Sequence, residues 1–327
     1  MKSDAERSRA VEAQARAAWP ALARAAGLPE AGQRMRVIRT RVRPDAVRTL
    51  LRIDGPGHDG LVLKHAPDEE DNWFDSQIAA HRRAEAAFTG ADGLGVPRLL
   101  ACDRDLRAWL MEFSPGATVQ DAMATTDGRG RLDLLRTCGR WMGHLHRSGE
   151  VQFRRVRPGA ALAQLDDWSA ALREGRMAVP DPGGFRALLI RTRADAEALR
   201  GRKDMRTVVH GDLNLRNLIV DGDAIRGVDF GTTELRSPAS DMARMLVWHE
   251  TFFGPVDGDP VDTPDAARAA LLEGHGGRPR DAVGLDYLMA VEVLRLWRSV
   301  PVAFLKRGML HHRRWAGVQR MRDRLLG

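Results

Sequence analysis

The stretch that decides the fold is VVHGDLNLRNLIVDGDAIRGVDFG, residues 208–231. It places short apolar runs beside His210, Asp212, Asn217 and Asp229, and these polar side chains cannot all be buried without partners. Asp212 and Asn217 are five residues apart, a spacing typical of a loop rather than of one helix face. The pattern predicts short strands joined by a polar loop, which is either a simple turn or a functional site.

The polar residues of this stretch have the chemistry of a phosphoryl-transfer site. Carboxylate and amide oxygens are the ligands that Mg²⁺ prefers, with water and nucleotide phosphate completing its shell. Protein kinases carry His-x-Asp, four residues, an Asn, and Asp-Phe-Gly further on. Here His210-Gly211-Asp212, Asn217 and Asp229-Phe230-Gly231 follow that order. The His-Gly-Asp form resembles the aminoglycoside phosphotransferase and choline kinase family, small-molecule relatives of the protein kinases.

The resemblance implies an α+β, bilobal, protein-kinase-like fold, with a small antiparallel sheet lobe followed by a larger, mainly helical lobe. It implies that Asp212 orients the acceptor hydroxyl and takes its proton, and that His210 supports the loop. Asn217 and Asp229 would coordinate Mg²⁺. The segment ELRSPASDMARML also resembles the family, in which an acid at the position of Asp241 starts a helix and braces the catalytic loop.

The same resemblance assigns ATP-binding residues in the first part of the chain. Lys64 ends the strand-like LVLK and would contact the α- and β-phosphates. WLMEFSPGATV resembles the linker between the lobes, where backbone groups around Glu112 and Phe113 would hydrogen-bond adenine. The helical partner of Lys64 is either Gln77, at the position where the family carries Glu, or Glu85, two turns later on the same side of the helix.

One expected element is missing between the first two strands. RTRVRPDAVRTLL has no glycine, although kinase-like lobes usually carry a glycine-rich turn over the phosphates. Arg41, Arg43 or backbone amides near Asp45 are the candidates to replace it. This departure and the glutamine at position 77 support a second hypothesis, a nucleotide-binding pseudokinase with a regulatory or scaffold role.

Hydrophobic patterning divides the chain into a helical extension over 1–34, a small sheet lobe over 35–113 and a helical lobe over 114–327. The resemblance implies that the second part binds the nucleotide and that the third part carries the catalytic loop and the acceptor site. The second part alternates in short β-branched runs separated by turn signals, which predicts five strands and one helix over 73–88. In the third part the periodicity predicts helices over 133–147, 160–174, 184–199, 240–251, 266–273, 281–305 and 309–326.

Composition narrows the class of protein. With 43% apolar and 29% charged residues the chain can bury a core. It has no apolar run of about 18 residues, so we expect no membrane span. The N-terminus lacks the apolar stretch of a signal peptide and Cys102 and Cys138 form no metal or redox motif, so we expect a cytoplasmic protein.

The net charge of +7 permits an anionic partner, and a nucleic-acid-binding surface in the arginine-rich C-terminus is a third hypothesis. The arginines are spread along the predicted helices, however, which favours a solvated surface over nucleic-acid binding. The two histidines of HLH, residues 144–146, lie on different helix faces, which favours a structural role over metal binding.

The leading prediction is therefore an ATP-dependent, Mg²⁺-requiring phosphotransferase that acts on a hydroxyl of a small molecule, such as a sugar, an amino alcohol or an aminoglycoside-like compound. The acids of the distal helices, Glu250, Asp286 and Glu292, are outnumbered by arginines. The sequence therefore supports a neutral or anionic acceptor at least as well as a cationic one. The preference for ATP or GTP and the oligomeric state are not predicted.

Overall fold

The computed structural model describes residues 3–43, 46–68, 70–254, 261–276 and 284–327. The chain forms two compact units, the first built from Met1–Gly116 and Ile219–Thr233, the second from Ala117–Leu218 and Glu234–Gly327. The N-terminal extension is thus part of the first unit, and so is the segment that carries Asp229, which the sequence pattern assigned to the helical lobe.

The first unit contains a five-stranded sheet in the order β1-β2-β3-β6-β5, with antiparallel neighbours throughout. This confirms the five strands predicted from the alternating pattern. The strands are β1 (Arg34–Val42), β2 (Val47–Asp54), β3 (Leu61–His65), β5 (Leu99–Asp103) and β6 (Ala108–Glu112). A short strand, β4 (Leu94–Gly95), runs parallel to β11 (Ala224–Gly227).

A helix covers each face of this sheet. Helix α1 (Asp4–Ala25) starts with a capping box between Ser3 and Glu6 and buries Trp19 and Leu22 against Leu51 and neighbouring strand residues. Helix α2 (Asp71–Ala87) packs Phe74 and Ile78 against Trp109 on the opposite face. Residues directly opposite each other in antiparallel strands share a face, so Leu50, Lys64 and Trp109 lie on the side of α2, called here the lysine face.

The chain returns to the first unit through the hairpin of β10 (Leu218–Asp221) and β11. The turn requires a left-handed residue, and Gly222 supplies it with φ of +56°. This hairpin leads directly to Asp229. The turn at Gly222 therefore brings this predicted metal ligand into the first unit.

The second unit is mainly helical, and each predicted helix is present, although the helix predicted over 133–147 begins five residues earlier, at Gly128, and the helix predicted over 281–305 ends seven residues earlier, at Arg298. A glycine-lined contact joins α4 and α8, since a Cβ on Gly139 would lie 2.3 Å from the carbonyl oxygen of Leu271. The helices are α3 (Val119–Ala124), α4 (Gly128–Ser148), α5 (Gly159–Arg173), α6 (Pro182–Ala198), α7 (Ala239–Phe253), α8 (Pro264–His275), α9 (Leu285–Arg298) and α10 (Met309–Leu326).

Three features of the second unit differ from the prediction. A sheet of β8 (Gln152–Arg155), β9 (Lys203–Val208) and β12 (Leu235–Arg236) adds strands to it, and β7 (Ala117–Thr118) and α3 occupy a stretch for which no element was predicted. The helix predicted over 281–305 ends at Arg298, because Pro301 lacks an N–H and disfavours helix in the residue before it. Residues 281–283 lie outside the described part.

No helix in the described part of the chain is long and apolar enough to cross a membrane.

Candidate active site

Lys64 and Asp229 meet in the first unit although 165 residues separate them in sequence. The Nζ atom of Lys64 donates a hydrogen bond of 2.5 Å to Oδ1 of Asp229 and lies 4.9 Å from the centre of the Trp109 ring. Lys64 is only 4% exposed, so its charge needs this partner. Asp229 has φ of +63°, a left-handed conformation that non-glycine residues adopt uncommonly.

Helix α2 places a histidine, His81, near this ion pair. The His81 ring lies edge-on to Phe230 with ring centres 5.9 Å apart, and its Nε2 bonds to the carbonyl oxygen of Pro97 at 2.7 Å. Burial lowers the pKa of His81, so its ring stays neutral beside the pair. His81 is buried and was not among the residues that the sequence motifs singled out.

The two predicted helical partners of Lys64 are placed differently. Glu85 lies one turn beyond His81, and its Oε2 accepts a hydrogen bond of 3.3 Å from the backbone N–H of Leu99. Gln77 lies one turn before His81 and is half-buried. The carboxylate that binds Lys64 is that of Asp229, and pairing of the lysine with either helical residue remains a prediction.

The predicted adenine-binding residues have their N–H groups occupied. The N–H of Glu112 donates to the carbonyl oxygen of Arg98 at 3.0 Å, and that of Phe113 donates to Gly60 at 3.0 Å. Adenine contacts here would therefore fall to carbonyl oxygens or to residues that follow. The Ser114 hydroxyl is buried and has no hydrogen-bond partner within the described residues, which makes it a candidate.

Arginines of β1 extend the lysine face. Arg39 pairs with Leu50, which pairs with Lys64, so these three residues form one row across β1, β2 and β3. Arg41 pairs with Arg48 in the next row of the same face. Arg39 was not among the residues that sequence patterning singled out, because only the strand register shows that it shares a row with Lys64.

The other candidates to replace the missing glycine-rich turn are Arg43 and the backbone amides near Asp45. Arg43 accepts a hydrogen bond of 2.8 Å from Arg7 at its carbonyl oxygen and bonds Ala46 through its N–H at 2.8 Å, which closes the β1–β2 turn. The backbone amides near Asp45 lie outside the described residues.

In the second unit the catalytic-loop candidate is held by Asp241. Its Oδ2 accepts the N–H of His210 at 2.7 Å, and its Oδ1 accepts the N–H of Gly211 at 3.0 Å. Gly211 has φ of +81°, which a residue with a side chain rarely adopts. Asp241 lies in the first turn of α7, so the helix holds the loop through both oxygens of a single carboxylate.

The carboxylate of Asp241 is buried and still ionised. Burial opposes its charge, but the hydrogen bond from His146 and the charge and N–H of His210 outweigh it and hold the pKa of Asp241 below its ordinary value. His146 Nε2 lies 3.1 Å from Asp241, and its Nδ1 lies 3.0 Å from Nε2 of His275. His146, from the HLH stretch, therefore has a structural role in supporting the loop.

Asp212 directly follows His210 and Gly211, the two residues whose N–H groups bond to Asp241. Its N–H donates to Nδ1 of His210 at 3.3 Å, and its carbonyl oxygen accepts the side-chain amides of Asn214 at 3.0 Å and Asn217 at 2.9 Å. Its carboxylate forms an ion pair with Arg244, from the second turn of α7. The backbone of Asp212 is thus bonded on both sides while its carboxylate stays 45% exposed, which suits a group that must reach a substrate.

Each of the two predicted metal ligands has an oxygen atom of the kind that a hard divalent cation prefers. Because the nitrogen of the Asn217 side chain is bonded to Asp212, its carbonyl oxygen is the atom left to bind a ligand. Asp229 offers carboxylate oxygens from a side chain that is 42% exposed. Within the described residues no group of three or more His, Cys, Asp or Glu could hold a metal ion.

The buried histidine chain makes stability sensitive to acid. Burial, together with the charges of His146 and Arg147, lowers the pKa of His275 to about 3 from an ordinary 6.5. Between these pH values the unfolded chain binds a proton that the folded chain does not. Stability from this group is complete above about pH 6.5 and falls with pH toward 3, by up to about 1.4 kcal/mol per pH unit.

We therefore expect the His275→Gln variant, which keeps an N–H donor for His146, to lose stability less steeply than the wild type between about pH 7 and pH 5. Urea unfolding at each pH measures this difference in slope. The other buried histidines contribute equally to both proteins, so parallel slopes would contradict the assignment of the proton to His275.

Comparison with known proteins supports the family resemblance that the motif predicts. The family model described as the phosphotransferase enzyme family matches residues 42–283. A search of curated proteins finds no significant match. Among solved structures, a choline/ethanolamine kinase family protein from Mesorhizobium loti is 16% identical with a TM-score of 0.62, covering 96% of this chain and 94% of that chain.

Two further structures share the fold. A glucosamine kinase in complex with glucosamine, ADP and inorganic phosphate is 20% identical with a TM-score of 0.60, covering 99% of this chain and 90% of its own. A thermostable mutant of aminoglycoside phosphotransferase APH(4)-Ia is 14% identical with a TM-score of 0.56, covering 90% and 94%. With the family model matching most of its length, this chain belongs to the phosphotransferase enzyme family.

Proposed function

We propose that this protein transfers the γ-phosphoryl group of ATP to a hydroxyl of a small molecule. The observation that carries the proposal is the placement of the ordered motif. Asp212 is held on a loop fixed by Asp241, and Asp229 is paired with the buried Lys64. Membership of the phosphotransferase family and the nucleotide and acceptor bound to the glucosamine kinase support it.

In the proposed reaction the acceptor oxygen attacks the γ-phosphorus, the bond from that phosphorus to the bridging oxygen breaks, and ADP leaves. Asp212 orients the hydroxyl and accepts its proton. His210 contributes by accepting the N–H of Asp212 and thereby fixing the loop. Lys64 neutralises phosphate charge in the nucleotide, and the carbonyl groups near Glu112 and Phe113, with the Ser114 hydroxyl, contact adenine.

Asn217 and Asp229 would hold Mg²⁺, which when bound neutralises charge on the nucleotide phosphates. Asp229 then has two cationic partners available, the lysine ammonium and the metal ion. Because Lys64 is buried and already positioned by Asp229, the lysine is ready for a nucleotide phosphate before any ligand arrives. Such positioning reduces the ordering cost of binding.

The pseudokinase alternative rests on one observation of the structure. Glu85 is committed to a backbone N–H, and Lys64 has no helical carboxylate among its described partners. A pseudokinase would bind nucleotide without transferring phosphate.

The decisive experiment is turnover with Mg-ATP across a panel of sugars, amino alcohols, aminoglycosides and phosphorylated alcohols, followed by ADP release and by mass of the product. We expect at least one acceptor to gain a phosphoryl group. Nucleotide binding without any product, and without ATP hydrolysis above that of an Asp212→Asn variant, would favour the pseudokinase.

We expect the arginine row of the lysine face to replace the missing glycine-rich turn. Arg39 carries an exposed guanidinium in the row of Lys64, and guanidinium groups bind phosphate oxygens bidentately. Loss of one charged hydrogen bond, about 1.5–3 kcal/mol, predicts a rise in the KM for ATP of about ten- to a hundredfold in Arg39→Ala.

The matched control is Arg34→Ala, at the far end of the same strand, where Arg34 pairs with Asp54. We expect its KM for ATP to be unchanged. Equal effects of the two substitutions would assign the contribution to general surface charge, and no effect of Arg39→Ala would remove Arg39 from the nucleotide site.

A further inference from the structure

The second unit contains a groove of about 1290 Å³ lined by residues of β8, β9, β12, α5 and α9. Six arginines and four acids line it, so we call it the arginine groove. Contacts of Glu292 and Arg244 connect it to the catalytic loop. Glu292 lines the groove and lies 3.7 Å from Arg244, whose guanidinium also pairs with the carboxylate of Asp212.

Helix α7 also connects the arginine groove to the catalytic loop. Ser240, at its start, lines the groove, and the next residue, Asp241, holds the catalytic loop. Arg244 lies one turn after Ser240 and contacts Asp212. A compound in the arginine groove is therefore separated from the catalytic carboxylate by residues of one helix turn and by Glu292.

Three of the four acids of the groove are paired with arginines. Asp204 pairs with Arg206 at 3.1 Å, and Glu234 pairs with Arg236 at 2.8 Å. Glu292 binds Arg295 at 2.5 Å. The remaining acid, Glu150, accepts a hydrogen bond from Gln152. A cationic acceptor would need carboxylates released from these partners.

Three arginines of the groove have no acidic partner within the described residues. Arg154 donates to the side-chain oxygen of Gln152, at 2.9 and 2.6 Å, and Arg155 donates to the carbonyl oxygen of Gly201 at 2.9 Å. Arg157 is exposed at the start of the segment that leads into α5. Glu150 is the one acid of the groove without an arginine partner in the described part of the chain, and these three guanidinium groups outnumber it. This side of the groove therefore keeps a net positive charge on guanidinium groups, which suit the tetrahedral oxygens of phosphate.

Resting on the function proposed above, we infer that the acceptor is an alcohol that already bears a phosphate group. Arg154, Arg155 and Arg157 bind that phosphate in the arginine groove. The free hydroxyl of the compound then extends past Glu292 and Arg244 to Asp212. Arg244 is the positioning residue between groove and catalytic loop, because it contacts acids on both sides.

The test compares acceptors that differ only in charge: glucose, glucosamine and glucose 6-phosphate, then glycerol and glycerol 3-phosphate, and ribose and ribose 5-phosphate. Gluconate tests whether a carboxylate replaces phosphate. Turnover with Mg-ATP and calorimetric binding are both measured. We expect at least one phosphorylated compound to bind, and to exceed its neutral parent at least tenfold in kcat/KM.

Two variants of equal charge change assign the effect to the groove. Arg157→Glu should weaken binding of the phosphorylated compound at least tenfold and leave the KM for ATP unchanged. Arg186→Glu, an exposed arginine of α6 outside the groove, should change neither quantity.

The inference is overturned if amino sugars or neutral alcohols are preferred, if no phosphorylated compound binds, or if Arg157→Glu behaves like Arg186→Glu. Turnover on a neutral or cationic acceptor would overturn only this inference and leave the phosphotransferase function in place. Absence of turnover with every acceptor would instead contradict the proposed function, while calorimetry would still decide whether the groove binds phosphate.

Discussion

Replacing Asp212 by asparagine should lower kcat about 10²- to 10⁴-fold and leave nucleotide affinity nearly unchanged. The asparagine side chain matches aspartate in size but cannot accept the proton that leaves the acceptor hydroxyl. The backbone contacts of the loop, from Asp212 to His210, Asn214 and Asn217, do not involve the altered atoms. Steady-state turnover and nucleotide binding, measured on the same preparation, give the two quantities.

Two controls separate proton transfer from other effects. Asp223→Asn makes the same change at an exposed position in the β10–β11 turn and should retain full activity. Arg244→Gln removes the ion pair with Asp212 while keeping the carboxylate. If Arg244→Gln lost as much activity as Asp212→Asn, orientation rather than proton transfer would explain the effect, and retention of more than about a tenth of wild-type activity by Asp212→Asn would contradict its role as the base.

The second large effect is expected for Asp229→Asn. This change removes the carboxylate that pairs with Lys64 and that would bind Mg²⁺. Loss of several kcal/mol of charge stabilisation corresponds to a fall of about 10²- to 10³-fold in kcat/KM, since about 1.4 kcal/mol is a factor of ten. Turnover measured over a range of Mg²⁺ concentrations should also show a higher metal requirement than in the wild type.

A comparison with Lys64→Met assigns the loss to metal or lysine. If Asp229 served only to hold the lysine, Lys64→Met and Asp229→Asn would have the same profile and neither would change the Mg²⁺ requirement. We expect instead that Lys64→Met raises the KM for ATP and leaves the Mg²⁺ requirement as in the wild type. An Asp229→Asn enzyme with near-normal turnover would contradict the metal-binding assignment.

Local patterns predicted the elements well where one face of an element is buried. Burial alternates along β2 with the period of two that its sequence predicts, although the polar Thr49 is buried and the apolar Leu50 is half-buried. The same reasoning missed α3 and the small sheet of the second unit, because two- to six-residue elements carry too little periodicity to be distinguished from irregular chain. The helix expected over 281–305 was too long because the prediction followed the apolar periodicity and did not take account of Pro301, which cannot continue the helix.

The candidate site divides in the same way. Asp212, Asn217 and Asp229 could be identified from their order and spacing, because a loop that binds phosphate and metal needs those residue types at short separations. His146, His275, Arg244 and Arg39 gave no such signal. Each acts through a partner distant in sequence or through a strand register, as in the contact of His146 with His275, 129 residues away.

By itself, then, the amino-acid sequence determined the order of strands and helices and the chemistry of the loop from His210 to Gly231, since these depend on neighbours along the chain. Only the tertiary structure showed that Lys64 pairs with Asp229, that Arg244 contacts Asp212, and that three of the four acids of the arginine groove pair with arginines. The physical reason is that a charge's partner is the nearest group in space, and the packing of distant elements determines which group that is.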